Sequence, residues 1–489
     1  MRGRSRRWLG AAWLGLSLAL PGLAQAQGQL QPCRLRGLAH EALCGRLQRP
    51  LDPARPQGPQ IELRYAVLPA LARHKKPDPV FFFAGGPGQS AIDLAGPLGA
   101  LYARLLNRHD LVLIDQRGTG RSAPLTCEPD DPGLPLADTL DPKRQVAQLA
   151  ACRERLQKLP HGDLRFYTTT IAMQDADAVR QALGAERIDV VGASYGTRAV
   201  LEYLRQFPQQ VRRAVADGVA PPDMVLPAAF SADNQRALDA MFEACEKEAM
   251  CSRRHSGLRK RWQGLLSGLP RAVSIAHPMT GRPETLMLSR ELLLSMVRLP
   301  LYAPSLASAL PQAIDAATQG RFEGLAALAS AMQGPRKETA IAQGMHFSVV
   351  CSEDMPRLAH GPTEAPGADF GDTFAAQYRE VCAGWPRGAV PPAFYRIPPA
   401  PAATLLLSGG LDPATPPRHA QRVAEALGPK ARHVVAANAG HGVMAIGCMR
   451  DLLFRFIDAE TDDEALKLDM RCVEAIPRPP MFNPVEAAR

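Results

Sequence analysis

A serine lies between two glycines in residues 192–196, which read Gly-Ala-Ser-Tyr-Gly. A short apolar run, residues 188–191, comes before this segment, and apolar residues at helical spacing follow it from Ala199 to Phe207. A strand, a tight turn and a helix in this order hold a serine hydroxyl clear of the backbone, and the glycines leave room for the turn. The pattern predicts that Ser194 is a nucleophile, with an ordinary loop serine as the alternative.

Two further apolar runs end in glycine-rich turns. Residues 80–83 run into Ala-Gly-Gly-Pro-Gly over 84–88, and residues 111–114 run into Asp-Gln-Arg-Gly-Thr-Gly-Arg-Ser over 115–122. Short apolar runs bounded by glycine and separated by helical patterns indicate buried parallel strands. The chain is therefore predicted to form an α/β domain, with a mostly parallel sheet flanked by helices.

The middle of the chain has a different pattern. Residues 221–395 are rich in Leu, Ala, Arg and Met at helical spacing, and strand-like runs return at 403–407 and 432–436. A helix-rich segment inserted between strands of one sheet is expected to form a cap. The predicted organisation is a first core part, 27–220, a mostly helical cap insertion, 221–395, and a second core part with a C-terminal tail, 396–489.

A serine hydroxyl needs a neighbouring base to become a good nucleophile, and two later loops offer the partners. Asp412 lies in a glycine-rich loop after the run 403–407, and His441 lies in Gly-His-Gly after the run 432–436. His419 and His433 fall in a helical stretch and in a strand, where an imidazole is poorly placed. The order serine, acid, histidine is typical of this kind of serine elbow. We predict that His441 is the base and that Asp412 orients it; a helix-capping Asp412 is the alternative.

Acyl transfer also requires N–H donors for the oxyanion that develops in the transition state. One donor is expected to be the amide of Tyr195, directly after the serine. The other is expected to be the amide of Gly86, in the turn after an early strand. A plain turn without a catalytic role is the alternative at Gly86.

These motifs resemble the proline iminopeptidase and tripeptidyl aminopeptidase family of α/β-hydrolases. Five motifs carry the resemblance, in the family's order: residues 85–88, 115–122, 192–196, 410–412 and 440–442. The resemblance covers the core, about 60–220 and 400–450. It implies the α/β-hydrolase fold with a cap domain inserted between core strands, and a serine hydrolase with no cofactor. Export, common in the tripeptidyl type, is implied as well.

The chain departs from the proline iminopeptidase pattern at two positions. That branch usually has His before Gly-Gly-Pro-Gly and Trp after the nucleophile, whereas this chain has Ala84 and Tyr195. Tyr195 is more similar to the tripeptidyl branch. Recognition of a free N-terminus requires carboxylates in the cap, because a desolvated ammonium without a partner is costly to bind. Glu353 and Asp354 are the candidates, on a segment that resembles the tripeptidyl branch; ordinary surface carboxylates are the alternative.

The first 26 residues follow the order of a secretory signal peptide. Four arginines precede an apolar run from Trp8 to Leu20, and Ala24-Gln25-Ala26 supplies a small-residue cleavage site. An uncleaved membrane anchor is the alternative. Removal of the signal would reduce the net charge from +9 to +5, and no basic patch interleaved with aromatic residues argues for nucleic-acid binding. The expected location is periplasmic or extracellular, with no membrane association after cleavage.

Ten cysteines all lie beyond this N-terminal segment. An even number of cysteines in an exported chain indicates disulfides. The neighbouring pairs are the predicted ones, although spacing alone does not decide among the possible pairings: Cys33–Cys44, Cys127–Cys152, Cys245–Cys251, Cys351–Cys382 and Cys448–Cys472. Buried free thiols are the alternative, and the spacing argues against a metal site.

Three functional hypotheses follow from the sequence. The leading one is an aminopeptidase that releases a residue or short peptide from a free N-terminus through an acyl-enzyme, with no metal and no organic cofactor. The second is an esterase that uses the same triad on a non-peptide ester. The third is a binding protein that keeps the fold without turnover. The expected partner is a peptide or small ester substrate, and the sequence does not define the oligomeric state.

Overall fold

Eleven strands form two sheets in the part of the chain that the structure describes. The computed structural model describes residues 30–128, 131, 133–277, 280–333, 340–358 and 369–483, so the predicted signal peptide lies outside the described residues. The strands are β1 Gln31–Cys33, β2 Ala42–Pro50, β3 Gln60–Leu68, β4 Val80–Phe83, β5 Leu111–Ile114, β6 Ile188–Ala193, β7 Val211–Asp217, β8 Arg271–Ala276, β9 Pro283–Leu288, β10 Thr404–Gly409 and β11 Ala431–Ala436.

Nine of these strands form the central sheet, in the order β1-β2-β3-β5-β4-β6-β7-β10-β11. The neighbours from β5 through β4, β6, β7 and β10 to β11 are parallel. β1, β2 and β3 add antiparallel pairs at one edge. The predicted mostly parallel sheet is confirmed. The parallel strands all point in the same direction. Their carboxyl ends therefore form one edge of the sheet, and the loops that follow them meet there.

Helices cover the sheet and fill the segment between β7 and β10. They are α1 Ala95–Leu101, α2 Leu136–Thr139, α3 Pro142–Leu156, α4 Thr169–Ala182, α5 Tyr195–Gln206, α6 Leu226–Lys247, α7 Ala249–Arg254, α8 Leu258–Ser267, α9 Arg290–Leu301, α10 Pro304–Ala307, α11 Leu310–Thr318, α12 Glu323–Gln333, α13 Gln343–Glu353, α14 Met355–Leu358, α15 Thr373–Ala383, α16 Pro417–Leu427, α17 Met449–Asp458, α18 Asp462–Leu466 and α19 Arg471–Glu474. None of the described helices combines the length and the apolar character needed to cross a bilayer.

The central strands are buried on both faces. In β4, Phe81 and Phe83 belong to the apolar cluster on one side of the sheet, and Val80 and Phe82 belong to the cluster on the other side. Successive side chains of a strand point to opposite faces, so an unbroken apolar run fits a strand covered by helices twice. This explains why the runs at 80–83 and 111–114 were readable from the sequence.

The segment between β7 and β10 has a hydrophobic cluster of its own. Trp262 on α8 is fully buried there, with Phe242 on α6 and Leu293 on α9. The antiparallel hairpin β8–β9 also packs into this cluster. By contrast, α13 belongs to the core cluster that contains the central strands, through residues such as Val349 and Val350.

Five disulfides join the described cysteines in the same pairs that the sequence predicts. They are Cys33–Cys44, Cys127–Cys152, Cys245–Cys251, Cys351–Cys382 and Cys448–Cys472. Each pair closes a short loop, so each links neighbouring elements rather than distant ones. The Cys351–Cys382 bond connects α13 to α15.

Candidate active site

Ser194 lies on a strained turn between β6 and α5. Its backbone has φ 55° and ψ −123°, in the positive-φ region that side chains other than glycine rarely adopt. Both flanking glycines are required, because a Cβ on Gly192 would lie 2.2 Å from the carbonyl oxygen of Gly196, and one on Gly196 would lie 2.0 Å from that of Phe83. The turn thus has the geometry of a nucleophile elbow.

His441 and Asp412 form a hydrogen-bonded pair at the same edge of the sheet. The Nδ1 atom of His441 lies 2.8 Å from Oδ2 of Asp412. Asp412 is fully buried and also accepts N–H bonds from Ala414 and Thr415 on Oδ1. The Thr415 hydroxyl donates to Oδ2 at 2.8 Å and lies 3.1 Å from the His441 ring. These contacts hold the carboxylate in place and direct its Oδ2 atom at the imidazole.

His441 and Asp412 each stabilise the charged form of the other. Burial alone would lower the pKa of His441, but the charge and hydrogen bond of Asp412, with the charge of Asp217, raise it above its ordinary value. Burial opposes ionisation of Asp412, yet His441 and the N–H groups of Thr415 and Ala414 lower its pKa. A protonated imidazole is therefore stabilised at this position, as a general base requires.

Asp217, at the end of β7, connects the serine elbow with the histidine loop. Its carbonyl oxygen accepts the N–H of Ser194 at 2.8 Å, and its carboxylate accepts the N–H groups of Val443 and Met444 at 2.8 to 3.0 Å. A Cβ on the next residue, Gly218, would lie 3.2 Å from Cε1 of His441. Asp217 has no local signal in the sequence, because the strand that it ends carries two arginines and lacks an apolar run.

The two predicted oxyanion donors belong to segments next to the serine. Tyr195 begins α5, and Gly86 lies in the turn after β4, where its φ of +110° suits glycine. A Cβ on the neighbouring Gly85 would lie 3.2 Å from Cβ of Ser194, so this turn passes close to the nucleophile. Within the described residues, neither the Gly86 nor the Tyr195 amide donates to another backbone carbonyl. Both amides therefore remain available for an oxyanion.

Glu353 and Asp354 lie in a buried ion-pair network at the end of α13. Arg198, one turn after the nucleophile on α5, contacts Glu353 at 3.3 Å and Asp354 at 3.0 and 3.1 Å, and all three side chains are fully buried. Glu353 also accepts the N–H and hydroxyl of Thr169, whose hydroxyl contacts the Tyr195 hydroxyl at 2.7 Å. Burial raises the pKa of Glu353 to about 7 although Arg198 opposes this.

A cleft of about 770 Å³ opens beside the oxyanion turn. Gly86 is the active-site residue in its wall, and α3, α13 and α15 supply most of the remainder. Glu128 and Asp131 contribute exposed carboxylates to this wall. Clefts of this size accommodate ligands as large as a short peptide.

Two segments of the chain match protein families. Residues 78–248 match the α/β-hydrolase fold family, and residues 366–466 match the family described as TAP-like protein. The chain therefore has the α/β-hydrolase fold and a TAP-like segment, in agreement with the resemblance seen in its motifs.

Three relatives show what the chain is similar to. Serine protease Hip1 of Mycobacterium tuberculosis is 34% identical over 192 residues, 37% of this chain and 36% of that protein. Tripeptidyl aminopeptidase of Streptomyces lividans is 33% identical over 196 residues, 37% of this chain and 35% of that protein. Carboxylesterase B of Mycobacterium tuberculosis is 27% identical over 430 residues, 79% of this chain and 78% of that protein. The match thus spans about a third of the first two relatives.

Proposed function

We propose that the protein is a serine hydrolase in which Ser194, His441 and Asp412 act as a triad. The observation that carries this proposal is the strained Ser194 elbow at the sheet edge that also presents the His441–Asp412 pair. The Ser194 hydroxyl adds to the substrate carbonyl while His441 takes its proton. The amides of Gly86 and Tyr195 stabilise the oxyanion, each contributing about 3–4 kcal/mol in the transition state.

The same groups complete the reaction. His441 gives its proton to the departing amine or alcohol, which leaves an ester between the substrate acyl group and Ser194. A water molecule then loses a proton to His441 and attacks this ester, and the returning proton restores the Ser194 hydroxyl. Asp412 stays ionised throughout and stabilises the imidazolium.

Among such reactions, the release of a residue or short peptide from a free N-terminus is the one best supported. The TAP-like match and the 33% identity with a tripeptidyl aminopeptidase favour it. The cleft of about 770 Å³ beside Gly86 is large enough for a short peptide, and we propose that it takes the residues on the acyl side of the scissile bond. The helical insertion, 221–395, then acts as the cap that limits how far a substrate extends.

The substrate ammonium needs a carboxylate partner, and the described chain offers two candidate pairs. Glu353 and Asp354 outnumber the single guanidinium of Arg198, so this network keeps one formal negative charge when all three groups are ionised. Both carboxylates are buried, however, and a substrate must displace existing contacts to reach them. Glu128 and Asp131 lie in the cleft wall and are exposed. Separate Glu353→Gln and Glu128→Gln variants distinguish the pairs. The variant that removes the ammonium partner should raise KM for free-amine substrates and leave KM for N-blocked substrates unchanged.

Hydrolysis of a non-peptide ester is the second candidate. The observation that favours it is the match with carboxylesterase B, which covers most of both chains. An ester substrate also makes no demand for an ammonium partner, in keeping with the engagement of Glu353 and Asp354 by Arg198.

Export to the periplasm or the medium is part of the proposal. Five disulfides among the described residues support an oxidising compartment. N-terminal sequencing of the protein recovered outside the cytoplasm tests this, with a new terminus at residue 27 as the expected result. Recovery in the cytoplasm with residues 1–26 retained would contradict it.

Hydrolysis by the purified protein of a matched panel tests the activity. The panel contains free-amine prolyl, alanyl and tripeptidyl anilides, the N-blocked form of each, and a short-chain nitrophenyl ester. We expect cleavage of free-amine peptides alone, lost in Ser194→Ala and retained in Ser305→Ala, which changes an exposed serine. Ester cleavage alone would select the second candidate. Failure of a fluorophosphonate to label Ser194 would refute both.

A further inference from the structure

His346 on α13 contacts the turn that carries the Gly86 amide. Its Nδ1 atom lies 3.2 Å from the carbonyl oxygen of Pro87, and its Nε2 atom lies 2.8 Å from the hydroxyl of Tyr378 on α15. The residue that precedes α13 makes a second contact, since the N–H of Ala342 donates to the carbonyl of Gly88 at 3.0 Å. Two successive carbonyls of the oxyanion turn are thus held from the same helix end.

The chemistry of these contacts defines the state of the ring. A carbonyl oxygen only accepts hydrogen bonds, so Nδ1 carries the proton and donates it to Pro87. Burial lowers the pKa of His346, which favours the neutral ring, and Nε2 is then the acceptor for the Tyr378 hydroxyl. The three residues form a chain of hydrogen bonds. The Tyr378 hydroxyl donates to Nε2 of His346, and Nδ1 of His346 donates to the Pro87 carbonyl.

A disulfide and an aromatic contact link the two helices that carry His346 and Tyr378. Cys351, five residues after His346 on α13, is bonded to Cys382, four residues after Tyr378 on α15. At about 1.5 Å rise per residue, the disulfide lies one to one and a half turns along both helices from the His346–Tyr378 contact. The aromatic rings of Phe347 and Tyr378 also pack together at 5.5 Å. The two helices therefore offer the imidazole a fixed position.

We propose that His346 is a positioning residue that sets the oxyanion turn through its hydrogen bond to the Pro87 carbonyl. The turn closes on itself through Gly85 and Gln89, which exchange hydrogen bonds at 3.2 Å, and this leaves its orientation to outside contacts. In the described chain, His346 makes the side-chain contact to the Pro87 carbonyl. Loss of this bond lets Gly86 turn its N–H away from the oxyanion, while the Ser194 elbow stays intact. The inference rests on the proposed serine-hydrolase function.

Two substitutions test separately the hydrogen bonds of the two ring nitrogens of His346. In His346→Asn the amide nitrogen can occupy the place of Nδ1 and donate to Pro87, whereas in His346→Gln the terminal amide reaches toward Nε2 and Tyr378. We expect His346→Asn to keep kcat within about threefold of wild type, and His346→Gln to lower kcat about 10- to 100-fold with little change in KM. Labelling by a fluorophosphonate, which also forms an oxyanion-like centre, should slow by a similar factor in His346→Gln.

The outcomes are decisive in each direction. Thermal unfolding of both variants shows whether the fold is kept. A third variant, His346→Leu with Tyr378→Phe, removes the imidazole and the Tyr378 hydroxyl together, so that neither of these two groups is left without the other. Equal kcat in the Asn and Gln variants, or a change in KM instead of kcat, would overturn the inference. Wild-type protein that neither labels nor hydrolyses any substrate would instead refute the proposed function, which keeps the two failures apart.

Discussion

The carboxylate of Asp217 makes folding stability depend on pH in a way that Asp217→Asn should remove. Burial raises the pKa of Asp217 from 3.8 to about 6, although the N–H groups of Met444 and Val443 and the charge of His441 oppose the rise. Because the folded pKa exceeds the unfolded one, the stabilising contribution is complete below about pH 4 and is lost as the pH rises through about 6.

The size of the effect follows from the two pKa values. A difference of about two pH units corresponds to about 3 kcal/mol at roughly 1.4 kcal/mol per unit. The asparagine side chain in Asp217→Asn would have the shape and neutrality of a protonated aspartic acid, so the variant and wild type should have similar stability near pH 4. Near pH 8 the variant should be more stable by about 3 kcal/mol, even though it loses one acceptor for Val443.

Urea unfolding with the disulfides intact measures this difference at pH 4, 5, 6, 7 and 8. Subtraction of wild type from variant at each pH cancels the titration of groups that do not interact with Asp217, whereas the neighbouring His441 and Asp412 contribute to the difference. Asp138→Asn, a change of an exposed carboxylate, is the matched control and should give a difference that does not vary with pH. A flat difference for Asp217→Asn, or one that favours wild type at high pH, would refute the reasoning.

Other predictions concern the triad and the buried ion pairs. Asp412→Asn should lower kcat about 10³- to 10⁴-fold without unfolding the chain, because the amide no longer stabilises the protonated His441; unchanged turnover in the anilide assay would contradict this. The acid limb of kcat/KM should have its midpoint above 6.5, since burial lowers the pKa of His441 but Asp412 and Asp217 together raise it above its ordinary value, and only the neutral ring is a base. A midpoint below 6.5 would exclude that assignment. Arg198→Met should destabilise the fold by about 3–5 kcal/mol in urea, because two buried carboxylates lose their cation, and further Glu353→Gln and Asp354→Asn changes should restore most of the loss.

Burial on both faces makes a strand apolar, and such strands are the easiest to predict from the sequence. β4 and β5 are apolar throughout and β6 is interrupted only by Asp189, whereas β7 carries Arg212 and Arg213 and was missed. The structure explains these arginines by ion pairs at 2.5 Å, Arg212 with Asp189 on β6 and Arg213 with Asp462 on α18. A charged residue in a central strand can be predicted only when its partner is known, and Asp462 lies 249 residues from Arg213 in the sequence.

The site shows the same division. Ser194, Asp412 and His441 could be named as candidates because each has a local signal, a glycine-rich loop after a strand. Thr415 and Arg198 have no local signal, because their roles depend on contacts with residues far along the chain. Glu353 and Asp354 stood out beside a cysteine, but their burial against Arg198 followed only from the packing of α13 on α5.

The proposed cap insertion has two parts that pack in different hydrophobic clusters, and α13 belongs to one of them. The residue before its first turn, Ala342, holds Gly88, and its last residues pair with Arg198 next to the nucleophile, so this helix spans the site from the oxyanion turn to α5. Its apolar residues also belong to the cluster of the central sheet, whereas Trp262 and its neighbours form a separate cluster. If the proposed cap opened as one body, the contacts of α13 with the oxyanion turn and with Arg198 would be lost. We therefore expect any opening that admits substrate to involve the part around Trp262, with α13 remaining on the sheet.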